Sequence, residues 1–246
     1  MLGFGWKKEA LRRRFYPDDF PGMYDRLAAL LREHAREGQL MLDAGCGSGR
    51  VFRYELPRRP RLIVGVDLTE EPRGNPNIDA AARADLARLP FRDATFDLVV
   101  SSHVAEHLTA PGAVFRELAR VMKPGAALLL LTPNRWHYVT LAARLLPHRF
   151  HVAFNRWRGV DARDIFPTVY RANTAGRLRR LLESAGLRVE RLEQFETEPE
   201  YLAFHPVTYA LGVAYERVVN RIGALRGLRV NLMVVARKPA LDDRGG

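Results

Sequence analysis

The chain has 246 residues, 47% of them hydrophobic, and a formal net charge of +11. That length supports one substantial core, so a single domain is expected. No apolar run approaches the roughly 18 to 20 residues of a bilayer span, and Met1–Arg14 lacks the apolar centre of a signal peptide; a cytoplasmic protein is expected, with peripheral contact at the inner face of the membrane left open. The lone Cys46 has no partner for a disulfide or a structural zinc site, and no metal is expected.

The positive charge is carried by 35 Arg against 4 Lys, a ratio that codon bias in a GC-rich genome produces without any function. Its distribution says more. Between Arg135 and Arg191, twelve Arg face Asp161, Asp164, Glu183 and Glu190, a local balance of +8. Such a segment fits an anionic acceptor, a membrane surface, RNA or plain solvation.

In chain order, residues 1–20 are basic and aromatic, and Met23–Arg36 places Met23, Leu27, Leu30 and Leu31 at helical spacing before the stop at Gly38. The first strand is predicted at 39–42. Gly45, Gly47 and Gly49 then form a tight turn that lets backbone N–H groups approach a ligand closely, and a helix is expected over Val51–Leu56. The third glycine comes one place too early for a dinucleotide fingerprint, with Arg50 in the expected slot. Leu62–Val66 is a buried strand ending at Asp67, residues 70–78 read as loop, and a weak third strand is placed at Ala81–Ala84.

Phe96–Val100 is a fourth strand, Val114–Met122 an amphipathic helix stopped by Pro124 and Gly125, and Ala126–Leu131 a fifth strand. Strands alternating with helices indicate a parallel, doubly wound sheet. From Arg135 to Arg171 the alternation gives way to aromatic and basic sequence, read as an insertion over the ligand face. It resumes with a helix over Thr174–Ala185, a strand over Leu187–Leu192 and a last strand over Leu228–Ala236. Between these, Tyr201–Ile222 is helical in part and apolar on two sides from Val207 to Tyr215, so it is either buried or carries a lipid-facing or dimerising surface.

Five motifs occur in order: L-D-A-G-C-G-S-G-R at 42–50, V-G-V-D at 64–67, A-D at 84–85 with L-P-F at 89–91, F-D-L-V-V-S-S-H-V-A-E-H-L at 96–108, and R-V-M-K-P-G at 120–125. On these the chain resembles the class I S-adenosylmethionine-dependent methyltransferases of the type 11 domain group. The resemblance implies a Rossmann-like α/β fold: a seven-stranded, mostly parallel sheet with an antiparallel last strand in a three-layer αβα sandwich. The single domain divides into an N-terminal arm and helix (1–38), a donor-binding core (39–134), an acceptor-side insertion (135–172) and the rest of the sheet (173–246), with the helical segment 201–222.

The implied cofactor is S-adenosylmethionine, with S-adenosylhomocysteine as product. The glycine turn, Gly45, Cys46, Gly47 and Gly49, together with Asp43, would face the methionine moiety and its ammonium. Asp67 would accept the ribose hydroxyls, Leu68 would cover the adenine, Asp85 and the Leu86 backbone would address its polar edge, and Ser102 and His103 would lie near the reactive end. The amino-methylating signature of Asn or Asp, two prolines and an aromatic is absent after strand four, so transfer to O or C is expected. The acceptor is a small molecule or a lipid- or glycan-linked group; an RNA-directed enzyme or RNA-binding module is the alternative, although no recognisable RNA motif is present. His103 and His137 are the candidate bases. Tyr16, Tyr24, Trp136, Tyr138, Tyr170 and Arg171 are the candidate acceptor contacts. Glu106 and His107 read as a structural pair at a helix start.

Overall fold

The computed structural model describes residues 5–50, 52–69, 71–145 and 167–240. Its strands are β1 (Leu40–Ala44), β2 (Leu62–Asp67), β3 (Ala80–Arg83), β4 (Phe96–Ser102), β5 (Met122–Pro133), β6 (Arg188–Phe195) and β7 (Asn231–Arg237). They form one sheet in the order β3-β2-β1-β4-β5-β7-β6. The first five strands are mutually parallel, and β7 runs antiparallel to both β5 and β6. The Rossmann-like sheet with an antiparallel last strand is therefore present.

The helices are α1 (Gly5–Phe15), α2 (Met23–His34), α3 (Pro111–Val121), α4 (Tyr138–Leu145), α5 (Ala175–Ser184) and α6 (Pro206–Arg221). On one face of the sheet, Val114, Phe115 and Leu118 of α3 and Leu178 and Leu182 of α5 pack on Leu42, Val99, Leu128 and Val234. On the other, Leu27, Leu30 and Leu31 of α2 cover Met41, Leu98, Leu129 and Met233. Each such side chain contributes about 1.5–3 kcal/mol through removal from water. Pro111 opens α3 where its missing N–H costs nothing, and the Thr174 side chain caps α5 by accepting from the Arg177 N–H.

Three expectations are corrected. The strand expected from Ala126 begins at Met122, because Met122 pairs with Phe96 across a register shift before regular pairing takes over at Leu98. Residues 5–15, left without an element, form α1. The third correction bears on the site: no helix occupies residues 52–56 after the glycine turn. Phe52, Tyr54 and Leu56 instead pack side by side on the α2 face of the sheet, while Arg53 and Glu55 are exposed. This two-residue period belongs to an extended chain, and Pro57 and Pro60 close the space in which a helix could continue.

The apolar stretch of α6 divides between two environments. Tyr209, Gly212 and Val213 are buried, whereas Val207 and Leu211 are exposed. Residues 146–166 of the expected insertion lie outside the described residues, and with them most of its basic side chains.

Candidate functional site

The carboxyl ends of β1, β2, β4, β5 and β6 and the start of β7 share one edge of the sheet, since Phe195, Asn231 and Pro133 are in register. Open parallel sheets bind ligands at this edge. The glycine turn lies there with Gly45, Gly47 and Gly49 at φ of 80°, 46° and 64°, a region favourable only to glycine. Gly45 and Cys46 donate to the Val66 carbonyl at 2.7 and 3.1 Å, and Gly47 donates to Asp67 Oδ2 at 3.0 Å. A Cβ at Gly45 would strike Val104 at 2.2 Å and one at Gly49 would strike Asn75 at 2.0 Å, while Gly47 faces open space.

Three carboxylates stand along this edge on adjacent strands. Asp43, in β1, lies beneath the turn at 5% exposure and accepts from the Tyr54 hydroxyl at 2.7 Å. Burial pushes its carboxyl up to about 7. Asp67, half-buried at the end of β2, has its other oxygen held by the N–H and hydroxyl of Thr69, both at 3.0 Å. Asp85, exposed after β3, accepts from the Ala87 N–H at 2.8 Å and so shapes its own turn. Leu68 is 65% exposed beside Asp67, whereas Leu86 is buried in the core. Cys46 packs against Gly65 and its thiol is pushed upward by burial, which keeps it protonated.

Two asparagines not anticipated from the sequence hold this assembly. Asn75 donates to the carbonyls of Cys46 and Gly47 at 2.9 and 3.2 Å and accepts from the Asn77 N–H at 2.9 Å. Asn77 in turn donates to the Phe52 carbonyl at 2.7 Å and accepts from the Tyr54 N–H at 3.0 Å. The proline-rich loop after β2 thus fastens both the turn and the extended segment. Its two asparagines, buried in a loop, were the only sequence signal.

Residues 42–130 match the family model described as a methyltransferase domain. A probable S-adenosylmethionine-dependent methyltransferase of Mycolicibacterium smegmatis is 32% identical over 174 residues, covering 68% of this chain and 57% of that protein. Residues 42–130 are thus a methyltransferase domain, set on the Rossmann-like sheet described above. A ubiquinone biosynthesis O-methyltransferase of Hahella chejuensis is 31% identical over 45% of this chain and 50% of its own length. In fold, the chain is similar to the crystal structure of an S-adenosylmethionine dependent methyltransferase from Mesorhizobium loti, with a TM-score of 0.57 at 19% identity over 88% of this chain and 98% of that one. The chain spans about half the length of the curated relatives it matches.

Within this methyltransferase fold, His103 follows β4 at φ 57°, an unusual conformation for a non-glycine residue. Its N–H donates to Leu131, and its Nδ1 lies 3.1 Å from Ser102 Oγ. Burial lowers its pKa, with Glu106 opposing, so the ring is neutral near pH 7. Tyr24 packs 5.7 Å from it and stacks on Phe52 at 5.1 Å. The phenols of Tyr24, Tyr138 and Tyr170 are all raised, chiefly by burial.

The remaining candidates have structural partners of their own. Tyr16 is buried with Phe20 and Tyr209 and donates to Glu216, which makes it a packing residue. His137 is 1% exposed, covered by Tyr138 and Tyr215 at ring distances of 4.1 and 5.8 Å, with Nε2 3.3 Å from Glu196. Trp136 is half-exposed under the Arg135 guanidinium, and Arg171 is tied to the Thr109 carbonyl at 2.7 Å. Glu106 accepts from Thr132 at 2.8 Å through its side chain and from Val169 and Tyr170 through its carbonyl, while His107 Nδ1 meets Pro167 O at 2.8 Å. This pair fastens residues 167–170 to the sheet.

Proposed function

We propose that this chain transfers the methyl group of S-adenosylmethionine, by in-line displacement, to oxygen or carbon of a small-molecule or lipid- or glycan-linked acceptor. The observation that carries the reading is the row of Asp43, Asp67 and Asp85 along one strand edge beside the glycine turn, within the matched residues 42–130. The residues fit the donor. Asp67 offers carboxylate oxygens to ribose hydroxyls, the exposed Leu68 an apolar face to adenine, and Asp85 with the Leu86 backbone a polar edge. Asp43 acts from beneath the turn: an ammonium close by favours its ionised form over the neutral one that burial prefers.

The donor supplies an electrophilic sulfonium methyl, so the chain's own task is alignment, worth up to about 7–11 kcal/mol in favourable cases. Tyr24, packed beside His103, is the proposed acceptor-side contact, with the buried Tyr138 and Tyr170 as further candidates. His103 accepts the acceptor's proton at Nε2 when its Nδ1–H donates to Ser102 Oγ. The identity of relatives as O-methyltransferases supports oxygen as the target. Calorimetric titration with S-adenosylmethionine and S-adenosylhomocysteine, followed by incubation with cell extract and mass detection of a 14-dalton gain (about one CH2 group), tests this. Micromolar donor binding and a methylated product are expected; well-folded protein that binds neither donor nor product overturns it.

A further inference from the structure

Helix α6, Pro206–Arg221, carries two apolar stripes on opposite sides. Tyr209, Val213, Glu216 and Val219 face the protein. Val207, Leu211, Val218 and Ile222 point the other way at 60%, 64%, 47% and 47% exposure. At 100° per residue the second set centres about 155° from the first; beyond the helix ends Phe204 and Leu228 are also exposed, at 41% and 40%. A helix apolar all round is ordinarily buried all round.

From 206 to 228 the charged residues are Glu216, Arg217, Arg221 and Arg226. Glu216 is buried, so every exposed charge on this segment is positive; Arg217 lies at the margin of the outward stripe, its guanidinium donating to the Phe15 carbonyl at 3.4 Å. We infer that α6 is an interfacial helix that seats the protein on an anionic lipid surface, with the outward stripe entering the headgroup boundary and the arginines meeting lipid phosphates. The alternative of a second copy of the chain fits less well. The stripe is about 22 Å long, and at a helix width of about 10 Å it offers a few hundred Å2, short of the roughly 800 Å2 per partner of a stable interface. A self-contact would also bring the same arginines together.

The fold gives this placement a consequence. The segment leaves β6 at Phe195 and enters β7 at Asn231, neighbours at the ligand edge, so docking through α6 brings that edge to the lipid. The inference rests on the surface of α6 and not on methyl transfer, and its test reads no methylation.

The full chain is sedimented with vesicles of phosphatidylcholine alone and of phosphatidylcholine with phosphatidylglycerol. Binding to the anionic vesicles, weakened by salt, is expected. Leu211→Asp with Val218→Asp, both at exposed positions, reduces it about tenfold or more, and Arg217→Glu with Arg221→Glu reduces it on anionic vesicles. Circular dichroism and melting of each variant confirm folding. Wild-type protein that stays in solution with anionic vesicles overturns the inference. So does equal binding to neutral vesicles that ignores the arginine changes, and so does a dimer in light scattering that Leu211→Asp converts to a monomer without vesicle binding.

Discussion

The hydroxyl of Tyr54 donates to Oδ2 of Asp43 at 2.7 Å, from a crossover in which an extended segment lies on the sheet where a helix was expected. Burial of Asp43 raises its carboxyl to about 7, and the Tyr54 hydrogen bond partly opposes this. The unfolded value is about 3.9. Because the folded value is the higher, the native state binds more protons between about pH 4 and 7, and stability from this group falls as pH rises through that window, then stays level above it. Melting of the donor-free protein should therefore improve on acidification from pH 8 to about 6 relative to Asp43→Asn, which lacks the titration. Equal slopes in the two proteins would disprove the assignment.

Donor affinity should have the opposite sign, since an ammonium selects the ionised carboxylate. It is expected to fall below about pH 7, and Tyr54→Phe, which removes the bond that favours the charged form, should move that midpoint upward. Titration calorimetry across pH reads both.

The three glycines of the turn should not be equivalent. Gly47→Ala meets open space and suffers only the left-handed backbone penalty, about 1–2 kcal/mol. Gly45→Ala and Gly49→Ala add collisions with Val104 and Asn75 at 2.2 and 2.0 Å. Chemical denaturation should rank Gly47→Ala as the mildest of the three.

Asn75→Ala is expected to cost about 1–3 kcal/mol, because it orphans the partly buried carbonyls of Cys46 and Gly47 and the Asn77 N–H. The same change should weaken donor binding, and a compensating space at Gly49 would let Gly49→Ala be better tolerated in the double variant than alone. Additive melting shifts would contradict the contact.

The two candidate bases separate by exposure. His103→Asn, chosen because asparagine tolerates a φ of 57°, should lower kcat by about 100-fold to 10,000-fold for a hydroxyl acceptor with little change in donor Kd. His137→Phe should leave kcat within about tenfold, since its ring is sealed beneath Tyr138 and Tyr215. A larger loss at His137 than at His103 would reverse the assignment.

Much of this was legible in the residues. The strands β1, β2 and β4 are short apolar runs ending in polar residues at the ligand edge, and their burial on both faces leaves little ambiguity. The 52–56 segment was also legible: Phe52, Tyr54 and Leu56 alternate with Arg53 and Glu55, a period of two that the expectation of a helix after a glycine turn overrode. The role of Asn75 was not, because a side chain reaching 29 positions back to Cys46 leaves no local pattern. Tyr16 was the converse case, an aromatic in a basic arm that the fold uses for packing.

The absent crossover helix also has a thermodynamic side. Backbone groups of Cys46, Gly47, Phe52 and Tyr54, which a helix would engage through consecutive i to i−4 bonds, are held instead by scattered side-chain contacts from Asp67, Asn75 and Asn77. Those contacts can open one at a time, without the cooperative cost of melting a helix. If the donor binds at this turn as proposed, part of its intrinsic binding free energy is spent on ordering the loop, and hydrogen exchange of residues 45–56 should slow on its addition.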